Sequence, residues 1–209
     1  MIIKLFVLNP IQTNTWVVTD EESKETIIID LGGNYKKVFE YIREIGGNLK
    51  YILCTHGHFD HILGISDMQK DGINIPVYIN RNDEELATKH LNSTLEMFGL
   101  DGHYQEIKIS GYLDEKTELY IGKKPIKIIE TPGHTKGGVC IQIENTLFSG
   151  DTLFRREIGR CDLPGGDYNE IINSLKTKLA LLPDNIIVYP GHDATTTMGE
   201  EKRYNRYFQ

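Results

Sequence analysis

Four side chains that can bind a metal ion lie within six residues of the sequence: His56, His58, Asp60 and His61. His56 and His58 are two positions apart, so in extended backbone their side chains project to the same side. Asp60 and His61 follow where the chain enters its next element, and they can approach from another angle. Imidazole suits zinc and iron, while a carboxylate accepts a harder ion or helps to hold two ions together. The pattern predicts a metal site rather than a solvated loop whose histidines make ordinary hydrogen bonds.

A buried strand precedes this motif, since residues 51–54 form a short apolar run. Other short runs of the same kind predict strands at 2–8, 15–19, 26–30, 76–79, 118–121, 126–130, 139–143, 146–148 and 186–189. Helices are predicted at 34–45 with Asn34 as N-cap, at 62–68, at 82–99 in two pieces, at 168–182 and at 199–207. Residues 100–117 give no clear assignment. Strands with interleaved helices indicate an α/β architecture.

Three further residues whose side chains can bind a metal ion come just after predicted strands. His134 follows 126–130, Asp151 follows 146–148 and His192 follows 186–189, each beside a glycine. In open α/β sheets, sites form at the carboxyl ends of strands. Each residue alone has an ordinary interpretation as a loop side chain, but as a set they predict one composite site. His90 and His103 belong to no such pattern.

Composition is that of a soluble globular protein, with 39% hydrophobic and 25% charged residues among 209. The net charge of −7 argues against non-specific nucleic-acid binding. The three cysteines are far apart and odd in number, so they indicate neither a disulfide framework nor a thiolate metal site. No segment resembles a signal peptide or a membrane span. We therefore expect a cytoplasmic protein without membrane or nucleic-acid partners; its oligomeric state is left open.

The sequence resembles the metallo-β-lactamase superfamily, and within it the short glyoxalase II-like hydrolases. The resemblance rests on Asp30, His56-x-His58-x-Asp60-His61, His134, Asp151 and His192 in that order, and on the segments TPGHTKGG, FSGDTLF, IGRCDLPGGD and YPGHDATT. It implies a four-layer αββα sandwich with two mixed sheets face to face and helices outside. It also implies one domain over 1–209, without the additional C-terminal helical domain that holds glutathione in longer glyoxalase II enzymes.

The resemblance also implies a ligand set for two divalent ions. One ion would be held by His56, His58 and His134; the second would be held by Asp60, His61 and His192. Asp151 would bridge the two ions. Zinc is the first expectation for the metal, with iron or manganese as alternatives, because all three accept these donors. Asp30 would support the ligands from behind, although a strand-end aspartate that caps a turn is an equally good interpretation.

The implied activity is hydrolysis of a thioester such as hydroxyacylglutathione. A hydroxide bridging two ions would attack the carbonyl carbon, and Asp60 would orient it as well as bind metal. The segment 95–104, with Met97, Phe98 and Tyr104, is a candidate wall of the substrate pocket, with core packing as the alternative. Arg156 is a candidate partner for an acidic substrate group.

Two other functions remain open for such a chain. An iron-dependent persulfide dioxygenase would use one ion bound by His56, His134 and Asp151, and would activate oxygen rather than water. A nucleic-acid-processing hydrolase of the same superfamily is the second alternative, disfavoured by the acidic charge balance.

Overall fold

The computed structural model describes residues 1–100 and 102–209. These residues form two six-stranded sheets and a separate two-stranded hairpin. The strands in chain order are β1 Ile2–Leu8, β2 Thr13–Thr19, β3 Glu25–Ile29, β4 Asn48–Leu53, β5 Val77–Ile79, β6 Gly111–Tyr112, β7 Leu119–Ile121, β8 Lys124–Glu130, β9 Val139–Ile143, β10 Thr146–Gly150, β11 Leu153–Phe154, β12 Glu157–Ile158, β13 Ile187–Pro190 and β14 Thr196–Thr197.

Both sheets are mixed. The first has the order β1-β2-β3-β4-β5-β6. Strand β2 is antiparallel to both β1 and β3, and the strands from β3 to β6 are parallel to one another. The second has the order β14-β13-β10-β9-β8-β7 and is antiparallel except where β10 pairs with β13. The hairpin β11-β12 follows β10 in the chain.

Alternating side chains on the strands divide the core into layers. On β3, Ile27 and Ile29 pack in a cluster with Ile128, Ile141 and other residues of the second sheet. Ile28 faces the other way and joins the cluster beneath the helices of the first sheet. A third cluster lies between the second sheet and its own helices. Successive strand residues point to opposite faces, so this pattern requires sheets covered on both sides. The four-layer sandwich predicted from the sequence is confirmed.

The helices are α1 Tyr35–Glu44, α2 Phe59–Lys70, α3 Glu84–Ala87, α4 Leu91–Met97, α5 Tyr168–Thr177 and α6 Met198–Tyr204. Asn34 is the N-cap of α1, as predicted, and its side chain accepts a hydrogen bond from the Lys37 N–H. The two pieces predicted within 82–99 are α3 and α4. The unassigned stretch 100–117 contains the short edge strand β6.

Helix boundaries differ from the prediction at α2, α5 and α6. The helix predicted at 199–207 is α6, which ends at Tyr204 and is followed by a 3₁₀ turn at Arg206–Phe208. Helix α2 begins at Phe59 instead of 62, because His58 has the extended backbone of an N-cap residue, with φ −68° and ψ 145°. Asp60 and His61 therefore lie in the first helical turn. The helix predicted at 168–182 ends at Thr177, and a separate 3₁₀ turn covers Leu179–Leu181. Lys178, with φ −119°, interrupts the helical backbone between them.

Hydrogen bonds join the two sheets at the end where the predicted site lies. The Asn14 N–H donates to the Gly191 carbonyl at 2.7 Å, and the Trp16 indole donates to the Pro190 carbonyl at 3.0 Å. The Val139 N–H donates to the Thr55 carbonyl at 2.9 Å. These bonds attach the end of β13 and its following loop to β2, and the loop after β4 to β9.

Among the helices of the described residues, none has the length and apolar character needed to cross a bilayer.

Candidate metal centre

Seven predicted residues reach one end of the sandwich from four loops. His56 and His58 follow β4, and Asp60 and His61 occupy the first turn of α2. The remaining three follow β8, β10 and β13 and are His134, Asp151 and His192. All of them therefore leave the carboxyl ends of strands, which the α/β pattern predicts.

His56, His58 and His134 form the first group. One ring nitrogen of each lies within 4.8 Å of the others. His58 Nδ1 and His134 Nε2 are 2.9 Å apart. All three side chains are buried. Three imidazole nitrogens that converge in this way can share one cation.

Asp60, His61 and His192 form the second group, again with ligand atoms within 4.8 Å of one another. Asp60 Oδ2 lies 3.3 Å from His61 Nε2 and 3.3 Å from His192 Nε2. The Thr13 hydroxyl donates to the same oxygen at 2.7 Å and holds the carboxylate in place.

Asp151 lies between the two groups. Its Oδ1 is 3.3 Å from His61 Nε2, while its Oδ2 is 3.6 Å from His134 Nε2 and 3.5 Å from His192 Nε2. One carboxylate thus approaches both sets of donors. This arrangement suits a pair of neighbouring cations.

Three buried polar atoms at this position show that the site fits a metal ion. His56 Nε2, His61 Nε2 and Asp151 Oδ1 have no hydrogen-bond partner within the described part of the chain. Leaving a buried polar atom unsatisfied costs about 1–3 kcal/mol, so native structures rarely do so without a compensating ligand or role. Imidazole and carboxylate donors together are a set that divalent zinc, iron or manganese accepts.

The protonation states of His56, His58 and the two carboxylates favour the same use. Burial lowers the pKa of His56 well below its ordinary value and lowers that of His58 to about 3. Both imidazoles are therefore neutral near pH 7, which is the form that binds a metal. Burial opposes ionisation of Asp60 and Asp151, but His61, the other neighbouring histidines and the hydrogen bonds to each carboxylate together outweigh it and lower the pKa of both carboxyls. The site keeps ionised carboxylates, which attract cations.

Hydrogen bonds behind the donors orient the rings. His134 Nδ1 is 2.7 Å from the Arg160 carbonyl, so Nδ1 carries the proton and Nε2 presents a lone pair. His61 Nδ1 is 2.8 Å from Asp30 Oδ2 in the same way. His56 Nδ1 is 3.1 Å from the Thr55 hydroxyl, which itself donates to Asp30 Oδ2 at 2.7 Å.

Both carboxylate oxygens of Asp30 accept hydrogen bonds. Its Oδ1 accepts the Thr55 N–H at 2.7 Å, and its Oδ2 accepts from Thr55 and His61. Although one oxygen of Asp30 lies within 4.8 Å of nitrogens on His56 and His61, these bonds occupy it. The geometry suits a supporting role more than that of a simple turn cap.

Asp83 is a supporting residue that no motif in the sequence identifies. It is 1% exposed. Its carboxylate accepts the Gly57 N–H at 2.9 Å, the Thr135 hydroxyl at 2.7 Å and the Gly137 N–H at 2.6 Å. Gly57 separates His56 from His58, and Thr135 follows His134. Asp83 therefore ties together the two loops that carry the first group of histidines.

Two glycines leave room that the site uses. A Cβ at Gly191 would lie 2.7 Å from His61 Cε1 and closer still to Asp151 Oδ1. A Cβ at Gly159 would lie 2.9 Å from His134 Nδ1. Real Cβ atoms do not approach this closely, so any larger residue must displace a predicted ligand.

The donors open into a cavity of 370 Å³. Its lining residues are Ile11, His58, Asp60, Phe98, His134, Asp151, Phe154, Arg160, Leu163 and His192. A neighbouring cavity of 430 Å³ shares His58, Phe98 and Leu163 with it, and extends along α3 and α4.

The candidate substrate residues divide into two sets. Met97 and Phe98 line the second cavity, and His90, for which the sequence predicted no role, lines it as well. Tyr104 and Arg156 line neither cavity, as far as the described residues define them. The Arg156 guanidinium lies over the Tyr204 ring, and its Nη2 is 3.6 Å from Glu200. Arg160 lines the first cavity while it binds Asp162 through two contacts of 2.7 Å.

Comparison with known families gives a match to the metallo-beta-lactamase superfamily over residues 8–192. The chain belongs to this superfamily. The match contains all seven donor residues.

Similar proteins have different names. The chain is 34% identical to hydroxyacylglutathione hydrolase GloC of Haemophilus influenzae, over 99% of this chain and 98% of that protein. It is similar to the solved structure of BLEG-1 B3 metallo-beta-lactamase, with a TM-score of 0.86, 33% identity and 99% of each chain covered. It is also similar to TTHA1623 in a di-iron-bound form, with a TM-score of 0.85, 32% identity and coverage of 98% and 99%. The family is therefore established, whereas these names agree on neither substrate nor metal.

The contacts of Gly191 predict that Gly191→Ala loses metal. The new methyl group would displace Asp151 and His61, so we expect the substituted protein to bind at least one ion fewer per chain. Elemental analysis after purification with added zinc measures this. Gly33→Ala is the matched control, because a Cβ there would have its nearest neighbour at an ordinary 3.7 Å. Equal metal content in the two variants would contradict the steric argument.

The hydrogen bonds of Asp83 predict that Asp83→Asn weakens metal binding about 10-fold to 100-fold, the usual cost of losing a group that orients ligands. The amide keeps the volume but replaces one acceptor oxygen with a donor that faces other donors. Competition with a chromogenic chelator measures the affinity. Glu96→Gln makes the same chemical change on an exposed side chain of α4 and should have no effect. A folded Asp83→Asn protein with unchanged affinity would refute the prediction.

Proposed function

We propose that the protein is a binuclear metal-dependent hydrolase of thioesters such as hydroxyacylglutathione. The observation that carries this proposal is the convergence of two complete donor groups with Asp151 between them. The similarity to the Haemophilus influenzae enzyme over nearly the whole chain supports the substrate class.

In the proposed ligand set, His56, His58 and His134 would hold one ion. Asp60, His61 and His192 would hold the second, and Asp151, which lies between the two groups, would be available to both. Zinc is the first candidate, and the similarity to a di-iron protein keeps iron open, as the donor chemistry keeps manganese. When bound, the ions lower the pKa of water to about 7 and so supply a nucleophilic hydroxide at neutral pH.

The chain's own residues then position the substrate and the nucleophile. Asp60, held by Thr13, faces the cavity and can orient a water molecule as well as bind metal. The carbonyl of the substrate would enter the 370 Å³ cavity beside His58, Asp60 and His134. Phe154 and Leu163 make part of its walls apolar.

The cavity lining favours a thioester over an amide. Apart from the proposed ligands, the described residues that line it are Ile11, Phe98, Phe154, Arg160 and Leu163. None of them is an acid near neutral pH, whereas an amine leaving group must be protonated to depart. A thiol has a pKa of about 8–9 and leaves as a thiolate with little help. The three cysteines are free thiols, which supports placing this chemistry in the reducing cytoplasm.

An iron-dependent persulfide dioxygenase remains the competing proposal, and it needs only His56, His134 and Asp151. In that case the second donor group would have no function, although its atoms converge as closely as those of the first. Hydrolysis uses both groups. A nucleic-acid-processing hydrolase is disfavoured by the net charge of −7.

The proposed ligand set predicts that Asp151→Ala or His58→Ala lowers thioester hydrolysis by at least about 100-fold, since changes to mere supporting groups cost 10-fold to 100-fold. Each variant should also lose at least one ion by elemental analysis. Asp184→Ala removes a carboxylate that is 76% exposed and should change neither quantity. Full turnover with unchanged metal content would refute the ligand assignment.

The function itself is tested by metal analysis combined with a substrate panel. Protein loaded separately with zinc, iron or manganese is assayed for thiol release from S-lactoylglutathione and other thioesters, for oxygen uptake with glutathione persulfide, and for nuclease activity. We expect two ions per chain and thioester hydrolysis. One iron per chain with oxygen uptake would establish the dioxygenase instead, and nuclease activity without thioester turnover would favour the nucleic-acid alternative.

A further inference from the structure

Large apolar side chains are exposed at the mouth of the metal site. Ile11, Met97 and Phe98 are 36%, 65% and 40% exposed. Ile11 lines the cavity of the donors, Met97 lines the neighbouring cavity, and Phe98 lines both. Exposed apolar residues are ordinary singly, but a group around an active-site opening indicates a surface that a ligand covers.

The two cavities form a continuous groove. They share His58, Phe98 and Leu163, so the second cavity begins beside a proposed metal ligand and extends 430 Å³ further. Helices α3 and α4 form one wall of this groove, and residues 163–165 form the other. A substrate whose reacting carbon lies at the metal site would extend along it.

Apolar side chains contribute most of the exposed surface of the groove: Leu86, Met97, Phe98, Leu163 and Pro164. The polar residues Asn82, His90, Ser93, Thr94 and Thr135 line it as well. The carboxylates in the lining already have partners: Glu85 lies 2.8 Å from Lys89, and Asp83 accepts three hydrogen bonds. Lys136 has no acidic partner within 4.0 Å among the described residues, and it lies on the exposed rim.

Glutathione carries two carboxylates and an ammonium group, each of which needs a charged or hydrogen-bonding partner when it leaves water. Among the described residues that line the second cavity, Lys136 is the one lysine or arginine, and Asn82, His90, Ser93 and Thr94 add hydrogen-bonding groups. The apolar part of the lining gains most from burying hydrocarbon.

We propose that the groove binds an apolar arm of the thioester, so that the physiological substrate carries a hydrocarbon segment next to the thioester group. This inference rests on the proposed function, because it places the thioester carbonyl at the metal site. The arm belongs either to the acyl group or to the thiol, and both present the same chemistry to the groove.

Two substrate series test the proposal on the metal-loaded protein. The first lengthens the acyl group from acetyl to hexanoyl on glutathione, and the second lengthens the thiol from ethanethiol to hexanethiol in acetyl thioesters. Burial of each methylene should raise kcat/KM about fourfold in the series whose arm enters the groove. The series that responds identifies which arm that is.

Substitutions in the groove supply the control for general hydrophobicity. Met97→Ser and Phe98→Ser should reduce the gain per methylene to less than about twofold. Leu181→Ser removes an apolar side chain that is 79% exposed and lies outside both cavities, and it should keep the full gain. Phe98 also packs against Phe59, so Met97→Ser, which alters a more exposed residue, retains the test if the other variant does not fold.

A binding measurement separates this inference from the proposed function. Calorimetry compares the binding of S-methylglutathione and S-hexylglutathione, which cannot be hydrolysed, to the same protein. Ethyl hexyl thioether is the corresponding probe for the thiol arm. Tighter binding of hexyl compounds that Met97→Ser abolishes, without hydrolysis of any thioester, would support the groove and overturn the hydrolase. Hydrolysis of both series with no dependence on length, and equal binding of short and long thioethers, would overturn the apolar arm.

Discussion

The carboxylate of Asp30 is the contact on which the geometry of the centre depends. It comes directly after β3, and it receives the backbone and hydroxyl of Thr55 after β4 and the ring of His61 in α2. Asp30 has a φ of 56°, a conformation that aspartate tolerates better than most residues. Its side chain therefore turns back across the ends of two parallel strands. Three separate segments of backbone are held in one position by a single buried group.

The hydrogen bonds of Asp30 also orient the side chains that would bind metal. The Thr55 hydroxyl donates a hydrogen bond to Asp30 and can accept one from His56. One carboxylate therefore orients two imidazoles, directly for His61 and through Thr55 for His56. Asp83 has the corresponding role on the other side of the site. Burial raises the pKa of Asp83, and its hydrogen bonds from Thr135, Gly137 and Gly57 act against that rise. Ligand groups held in this way need little reorganisation to receive a cation.

Local patterns in the sequence predict the α/β class and a composite metal site, whereas the four-layer sandwich and the division of the donors between two ions are implied by the resemblance to the superfamily. Position at the end of a strand is enough to predict that His134, Asp151 and His192 lie near His56. Asp30 has two equal interpretations in the sequence, since a sequence does not show which side chain a turn residue will contact. The role of Asp83 could not be predicted, because its partners are 26, 52 and 54 residues away.

The substrate residues are harder to predict for the same reason. Met97 and Phe98 reach the groove because α4 lies across the opening, but Arg156 lies over Tyr204, 48 residues further along the chain. The backbone of Tyr104 is hydrogen-bonded to Asn92 of α4, and its side chain packs against the core beneath the helices of the first sheet, which is the core-packing alternative. Aromatic and basic residues are common near any loop, so composition alone does not distinguish pocket walls from surface.

The donors come from both sheets: the residues after β4 belong to the first sheet, while those after β8, β10 and β13 belong to the second. With the proposed ligands, bound ions would cross-link the two halves of the sandwich and would bind the native state alone. Their binding free energy would then add to the stability of the fold. In a cell with too little metal, both the activity and the amount of the protein would fall, because the metal-free protein would unfold more often and would be degraded sooner. The abundance of the protein would thus follow the metal supply.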